Sequence, residues 1–75
     1  MVIENTEIKL YKSNLKKYRV SNRLTQTELS DISGVSIKSI ALYEQHPDKL
    51  NKASVESVNK LAECLGVSIE ELIKK

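Results

Sequence analysis

Basic side chains are concentrated in the first half of this sequence, and cations grouped in this way can bind phosphate groups. Six basic residues and no acidic residue lie between positions 9 and 23: Lys9, Lys12, Lys16, Lys17, Arg19 and Arg23. Residues 1–38 carry seven basic minus four acidic residues, or +3, whereas residues 39–75 carry five minus six, or −1. On charge alone, a surface that binds a nucleic acid and a solvated lysine-rich helix face are equally good interpretations.

The residue types present do not support catalytic or metal-binding chemistry. The sequence has one histidine, His46, one cysteine, Cys64, and no Gly-rich phosphate-binding loop. A reaction centre would need a base, a nucleophile or a ligand cluster at suitable spacing, and none is present. We therefore expect no enzymatic activity, no catalytic residue, no cofactor and no bound metal. His46 is interpreted as a loop residue and Cys64 as a buried or half-buried structural thiol.

Length and composition predict one small folded domain. A chain of 75 residues buries only about 60% of its unfolded surface, which leaves little room for an enclosed cavity. Apolar residues make up 40% of the sequence without any Phe or Trp, so the core must consist mainly of Leu, Ile and Val. We expect no membrane span, because no apolar run approaches about 18 residues. The start of the chain lacks a signal-peptide pattern, and a lone cysteine fits a reducing, cytoplasmic location.

Capping residues predict where the first helices of the basic half begin. Ser13 can cap a first helix, and residues 1–12 before it are expected to form an extension in which apolar and polar residues alternate. Thr25 followed by Glu28 is the capping-box pattern, in which the hydroxyl accepts a free backbone N–H and the carboxylate accepts the N–H of the capping residue. This pattern predicts a second helix whose apolar face consists of Leu29 and Ile32.

The end of the second helix and the start of the third are almost continuous. Gly34 can adopt the left-handed conformation that ends a helix, and only Val35 separates it from Ser36, the next capping residue. A third helix over residues 37–45 follows, with Tyr43 expected to be partly buried. Two helices joined this tightly must cross at a steep angle, which is typical of the helix-turn-helix unit.

The second half of the chain predicts two more helices. The His46-Pro47 step ends the third helix, since a residue before proline disfavours helical geometry, and residues 48–52 are expected to form a loop. A fourth helix is predicted by an apolar stripe at helical spacing: Val55, Val58, Leu61, Ala62 and Leu65. Gly66 can end this helix, and Ser68 with Glu71 forms a second capping box for a short last helix.

The order and spacing of four segments resemble the Xre/Cro/cI-type helix-turn-helix family. The segments are LKKYR at 15–19, LTQTELS at 24–30, SGVSIKSIALYE at 33–44 and VNKLAECLGVSIEEL at 58–72. The resemblance implies an all-α, five-helix, lambda-repressor-like DNA-binding domain over residues 13–75. It also implies a sequence-preferring transcriptional regulator from a bacterium, phage or mobile element. Its partner would be double-stranded DNA, bound as a homodimer with two recognition helices about 34–36 Å apart.

The resemblance implies a role for individual residues. Ile37, Lys38 and Leu42 match the positions that contact base edges from the recognition helix. The remaining DNA-contact positions face the backbone or flank the recognition helix: Gln26, Thr27, Ser36, Ser39, Gln45, Lys49 and Lys52. Ser36 is first of all a helix cap. Arg19 and Glu44 match an ion pair that ties the first helix to the end of the third.

Two aliphatic residues at base-contacting positions leave a second function open. Ile37 and Leu42 can touch a thymine methyl group but cannot make the bidentate hydrogen bonds that distinguish bases. Lys38 is then the main polar base contact, best suited to N7 and O6 of guanine. The alternative is a small protein-interaction module or antitoxin-type partner with the same fold, in which Ile37 and Leu42 form an apolar docking patch.

Overall fold

The computed structural model describes residues 13–73. The expected extension at residues 1–12, including Ile8, Leu10 and Tyr11, lies outside this range. Within residues 13–73 the chain forms six helices and no strand, so the all-α prediction is confirmed. The helices are α1 (Asn14–Ser21), α2 (Gln26–Ser33), α3 (Ile37–Gln45), α4 (Pro47–Asn51), α5 (Val55–Leu65) and α6 (Ile69–Ile73).

The capping hydrogen bonds predicted at the starts of α1 and α2 are present. Ser13 accepts a hydrogen bond from the backbone N–H of Lys16 at 3.1 Å and begins α1. The capping box of α2 is complete: the Thr25 hydroxyl accepts from the Glu28 N–H at 3.0 Å, and Glu28 Oε1 accepts from the Thr25 N–H at 2.9 Å. Each bond satisfies a backbone donor that the first helical turn leaves without a partner.

The same capping arrangement occurs again before α6. Gly34 ends α2 with φ +79° and Gly66 ends α5 with φ +72°, both in the left-handed region that favours glycine. Ser68 and Glu71 then form the predicted second box, with both hydrogen bonds at 3.0 Å. The string Gly-Val-Ser-Ile occurs at residues 34–37 and again at 66–69, and at both places it ends one helix and begins the next.

The core is built from one fully buried aliphatic side chain of each helix. These are Leu15, Leu29, Ile40, Leu50, Leu61 and Leu72, in the order α1 to α6. Four smaller contributions come from Val35, Val58, Ala62 and Leu65. The expectation of an aliphatic core is confirmed, and so is partial burial for Tyr43 and Cys64, which pack against its edge together with Tyr18.

The predicted loop at residues 48–52 is wrong. Pro47–Asn51 is a short helix, α4, that follows α3 after the single residue His46. Proline fits the first position of a helix because its fixed φ is helical and its missing N–H would have no partner there. A helix of five residues is too short to be stable by itself. Leu50 is only 2% exposed, so burial of this leucine stabilises α4.

Two residues expected in the core are exposed. Ile32 is 57% exposed and Val55 is 75% exposed. The inward positions of α2 are Leu29 and Ser33, one full turn apart, which leaves Ile32 on the flank. Val55 lies in the first turn of α5, one turn before the buried Val58, and its side chain extends beyond the packed part of the stripe. No helix within residues 13–73 is both long and apolar enough to span a membrane.

Candidate nucleic-acid interface

One side of α3 is buried and the other is open to solvent. Ile40 and Glu44, one turn apart, are buried against the rest of the domain. Lys38, Leu42 and Gln45 recur at helical spacing on the opposite side, and all three are exposed. Ile37 lies at the start of the helix and, like Leu42, is 43% exposed. The three positions expected to contact bases, Ile37, Lys38 and Leu42, are therefore all exposed on α3.

A buried ion pair fixes the orientation of α3. Arg19 Nε donates to Glu44 Oε2 at 2.5 Å, and Arg19 Nη2 donates to Glu44 Oε1 at 3.1 Å. The third guanidinium nitrogen, Nη1, donates to the carbonyl oxygen of Leu24 at 2.7 Å. This fork geometry is the strongest form of an Arg–carboxylate contact. The pair that the resemblance implies is thus present, and it joins α1, the turn before α2 and the last turn of α3.

Gln26 belongs to the same network. Its Nε2 donates to Glu44 Oε1 at 3.0 Å, across 18 residues of sequence. The side chain is half-buried, so it packs the first turn of α2 against the last turn of α3. Thr27, the next residue, is exposed. The position implied for a DNA-backbone contact thus also has a structural role that sequence reasoning missed.

The start of α3 is closed by two serines. The Ser36 hydroxyl accepts from the Ser39 N–H at 3.1 Å and donates to Ser39 Oγ at 3.0 Å. The capping role expected of Ser36 is confirmed. Because Ser39 Oγ accepts that bond, its own hydroxyl proton remains available for an outside acceptor such as a phosphate oxygen.

Two exposed lysines follow α3 closely in the sequence. Lys49 lies in α4 and Lys52 is the residue at its C-terminal end, and both are exposed. α4 follows α3 after one residue, so these cations are joined to the end of α3 by a short helix rather than by a loop. Asp48 is exposed between them and α3 and partly offsets their charge.

A comparison with protein-family models identifies the family of this domain. A model described as helix-turn-helix matches residues 15–72. The chain belongs to the Xre/Cro/cI-type helix-turn-helix family. In this family α2 and α3 are the helix-turn-helix, and its members are DNA-binding regulators of transcription. Searches of curated proteins and of solved structures found no match.

Membership of the helix-turn-helix family explains why the network around Glu44 is buried and the face of α3 is not. A recognition helix enters the major groove as a rigid body, so its orientation must be fixed from behind. Here the fixing groups are Arg19 and Gln26, both bonded to the inward carboxylate of α3. Every buried side-chain polar atom within residues 13–73 has a hydrogen-bond partner, so this network is complete without DNA.

Two further residues carry potentially reactive side chains, Cys64 and His46. Burial raises the pKa of the Cys64 thiol on α5, and the neighbouring Glu63 carboxylate raises it further. A raised pKa keeps the thiol protonated and unreactive, in agreement with a structural residue. His46 is exposed and separates α3 from α4. No group of three or more potential metal ligands is found in the part of the chain that the structure describes.

Proposed function

We propose that this helix-turn-helix protein is a sequence-preferring transcriptional regulator that inserts the N-terminal half of α3 into the major groove of DNA. The observation that carries the proposal is the open face of α3, where Lys38, Leu42 and Gln45 are exposed while Glu44 is bonded from behind. An α-helix fits the major groove, where every base pair presents a distinct pattern of donors and acceptors.

Lys38 is the residue proposed to select a base. Its ammonium group can donate to N7 and O6 of guanine, the commonest specific contact of a basic side chain. Ile37 and Leu42, beside it, offer apolar contacts suited to the methyl group of thymine. The proposed site therefore combines one polar contact with two apolar contacts, and we expect a modest sequence preference in each half-site.

The remaining contacts are assigned to the DNA backbone. Gln26 and Thr27 stand in the first turn of α2, where free N–H groups and the helix dipole favour a phosphate. Phosphate contacts beside the groove are also assigned to Ser36, Ser39, Gln45, Lys49 and Lys52. Such contacts fix orientation and make binding dependent on salt, but they carry no direct sequence information.

A homodimer on DNA is part of the proposal. One copy offers a single recognition helix and three base-contacting side chains, a small surface for specific readout. Two copies related by a two-fold axis would place two α3 helices in successive major grooves about 34–36 Å apart. The expected operator is then a palindrome.

Backbone amide chemical shifts test the placement of α3 directly. We would titrate the ¹⁵N-labelled protein with a short DNA duplex at low salt and follow every resolved amide. The proposal expects the largest changes at residues 25–28 and 36–45 and small changes in α6. Changes confined to α6, or none at a duplex excess, would contradict it.

A second candidate function is supported by one observation, the exposure of Ile37 and Leu42 at 43% each. Apolar side chains on a recognition face suit a protein partner better than a base edge. In that case the domain is a protein-interaction module or antitoxin-type partner that uses the same face of α3. The same titration separates the two, since a protein-docking module leaves the spectrum unchanged on addition of DNA.

A further inference from the structure

Arg23 has a backbone conformation that is unusual for its residue type. It lies in the turn between α1 and α2 with φ +61°, in the left-handed region. The other residues with positive φ within residues 13–73 are Gly34 and Gly66. Because a Cβ atom crowds the following carbonyl oxygen there, glycine would adopt this conformation without strain. The sequence thus has an arginine at a position whose backbone conformation favours glycine.

The turn that carries Arg23 is fixed against the recognition helix. The carbonyl oxygen of Leu24, the next residue, accepts the 2.7 Å bond from Arg19, and Arg19 pairs with Glu44 in the last turn of α3. Gln26, three residues after Arg23, is bonded to the same carboxylate. Arg23 is therefore held by a rigid network at the edge of the helix-turn-helix.

The guanidinium group of Arg23 has no partner in the part of the chain described. The residue is exposed, and its side chain makes no hydrogen bond or ion pair within residues 13–73. Glu28, the nearest acidic residue in the sequence, directs Oε1 to the N–H of Thr25 at 2.9 Å. A solvated cation in a strained backbone position contributes nothing to the packing of the fold, and backbone strain of this kind is common at binding sites.

We infer that Arg23 binds a DNA phosphate beside the first turn of α2. The inference rests on the proposed function, to which it adds a contact residue that the family motif did not single out; the basic run included Arg23 only as one of six cations. Arginine suits the role because its planar fork can donate two parallel hydrogen bonds to phosphate oxygens. The rigid turn removes backbone freedom before binding, so the contact orders only the side chain.

Stability and DNA affinity should change in opposite directions when Arg23 is replaced by glycine. In Arg23→Gly the strain is relieved, and we expect a thermal midpoint higher by about 2–5 °C. The same variant should bind a random-sequence duplex more weakly than the wild type. Its slope of log affinity against log salt should be smaller by about 0.9, the value for one lost phosphate contact. Asparagine also tolerates positive φ, so Arg23→Asn should show the same reduced salt slope as Arg23→Gly.

Two further variants separate a contact from a general effect of charge. Arg23→Lys keeps the cation and should retain most of the salt slope. Lys60→Ala removes one positive charge from the exposed side of α5, where it pairs with Glu56 at 3.6 Å, and should leave the slope unchanged. The inference is overturned if wild type and Arg23→Gly have equal salt slopes, or if Arg23→Gly and Lys60→Ala lower the salt slope by the same amount. Either result would leave the proposed function standing. A wild type that binds no duplex at low salt would overturn both.

Discussion

Gln26 and Glu44 are joined by a 3.0 Å hydrogen bond that connects the first turn of α2 to the last turn of α3. The carboxylate oxygen that accepts it, Oε1, also accepts from Arg19 Nη2 at 3.1 Å. One buried carboxylate thus sets the mutual position of three helices, and with it the angle at which the open face of α3 is presented.

Removal of the Glu44 carboxylate should be the most damaging single change in the network. Glu44→Ala leaves the Arg19 guanidinium buried without its counter-charge, and we expect a loss of about 3–5 kcal/mol in the free energy of unfolding. That is a large part of the stability of so small a domain, which is roughly 0.05–0.15 kcal/mol per residue. Urea unfolding followed by circular dichroism measures it.

The matched control replaces both charges by apolar residues. Arg19→Met combined with Glu44→Leu should cost less than Glu44→Ala alone, because no unpaired charge remains buried. A double variant that loses as much as the sum of its single variants would show that the two side chains act independently, in conflict with the geometry.

Replacement of Gln26 should reveal the structural part of its role. Gln26→Ala removes one hydrogen bond to a charged acceptor and should cost about 1 kcal/mol. Gln26→Glu should cost more at neutral pH, because it places a second carboxylate beside that of Glu44 and the two like charges repel.

Acidification distinguishes these two variants of Gln26. The repulsion introduced by Gln26→Glu requires both carboxylates to be charged, and it disappears as the pH falls and the introduced carboxyl is protonated. The difference in unfolding free energy between Gln26→Glu and Gln26→Ala should therefore shrink as the pH is lowered to about 4. A difference that stays constant with pH would argue against proximity of the two carboxylates in solution.

Lys38 should affect sequence preference, and Lys49 should not. On a preferred duplex, Lys38→Ala is expected to cost about 1–3 kcal/mol of binding free energy and to relax the preference at one base pair. Lys49→Ala should weaken binding to all sequences alike and lower the salt slope by about 0.9. Fluorescence anisotropy on matched and mismatched duplexes measures both. The base-contact role fails if Lys38→Ala retains the affinity and the preference of the wild type.

The aliphatic pair on α3 provides the test between the two candidate functions. Ile37→Ser and Leu42→Ser each remove apolar surface from an exposed position, so the fold should keep its stability to within about 0.5 kcal/mol. If the face binds DNA, affinity for duplex should fall only modestly. If the face instead docks a protein, the double variant should lose that partner while the wild type shows no affinity for DNA.

Features determined by local sequence could be predicted well. The Thr25 and Ser68 capping boxes, and the glycines that end α2 and α5, depend on residues within one helical turn of each other. Their hydrogen bonds and backbone angles therefore follow from short segments. The position of α3 followed in the same way, from a serine cap at one end and the His46-Pro47 step at the other.

Features that depend on distant residues could not be predicted. The exposure of Ile32 and Val55 is set by which neighbouring helix covers each position, and helical spacing alone does not contain that information. The bond from Gln26 to Glu44 crosses 18 residues and depends on how two helices pack. α4 was missed for another reason: Pro47 suggested only where α3 ends, although proline also suits the start of the next helix.

Selection of binding sites from a random duplex library with the purified wild-type protein tests the central claim most directly. The account predicts enrichment of a palindrome whose half-sites lie about ten base pairs apart, with a guanine at one constant position in each half. Repeating the selection with Lys38→Ala should remove the guanine and leave the spacing. Recovery of no enriched sequence would contradict sequence-preferring recognition by α3, and failure to bind any duplex at low salt would contradict DNA recognition altogether.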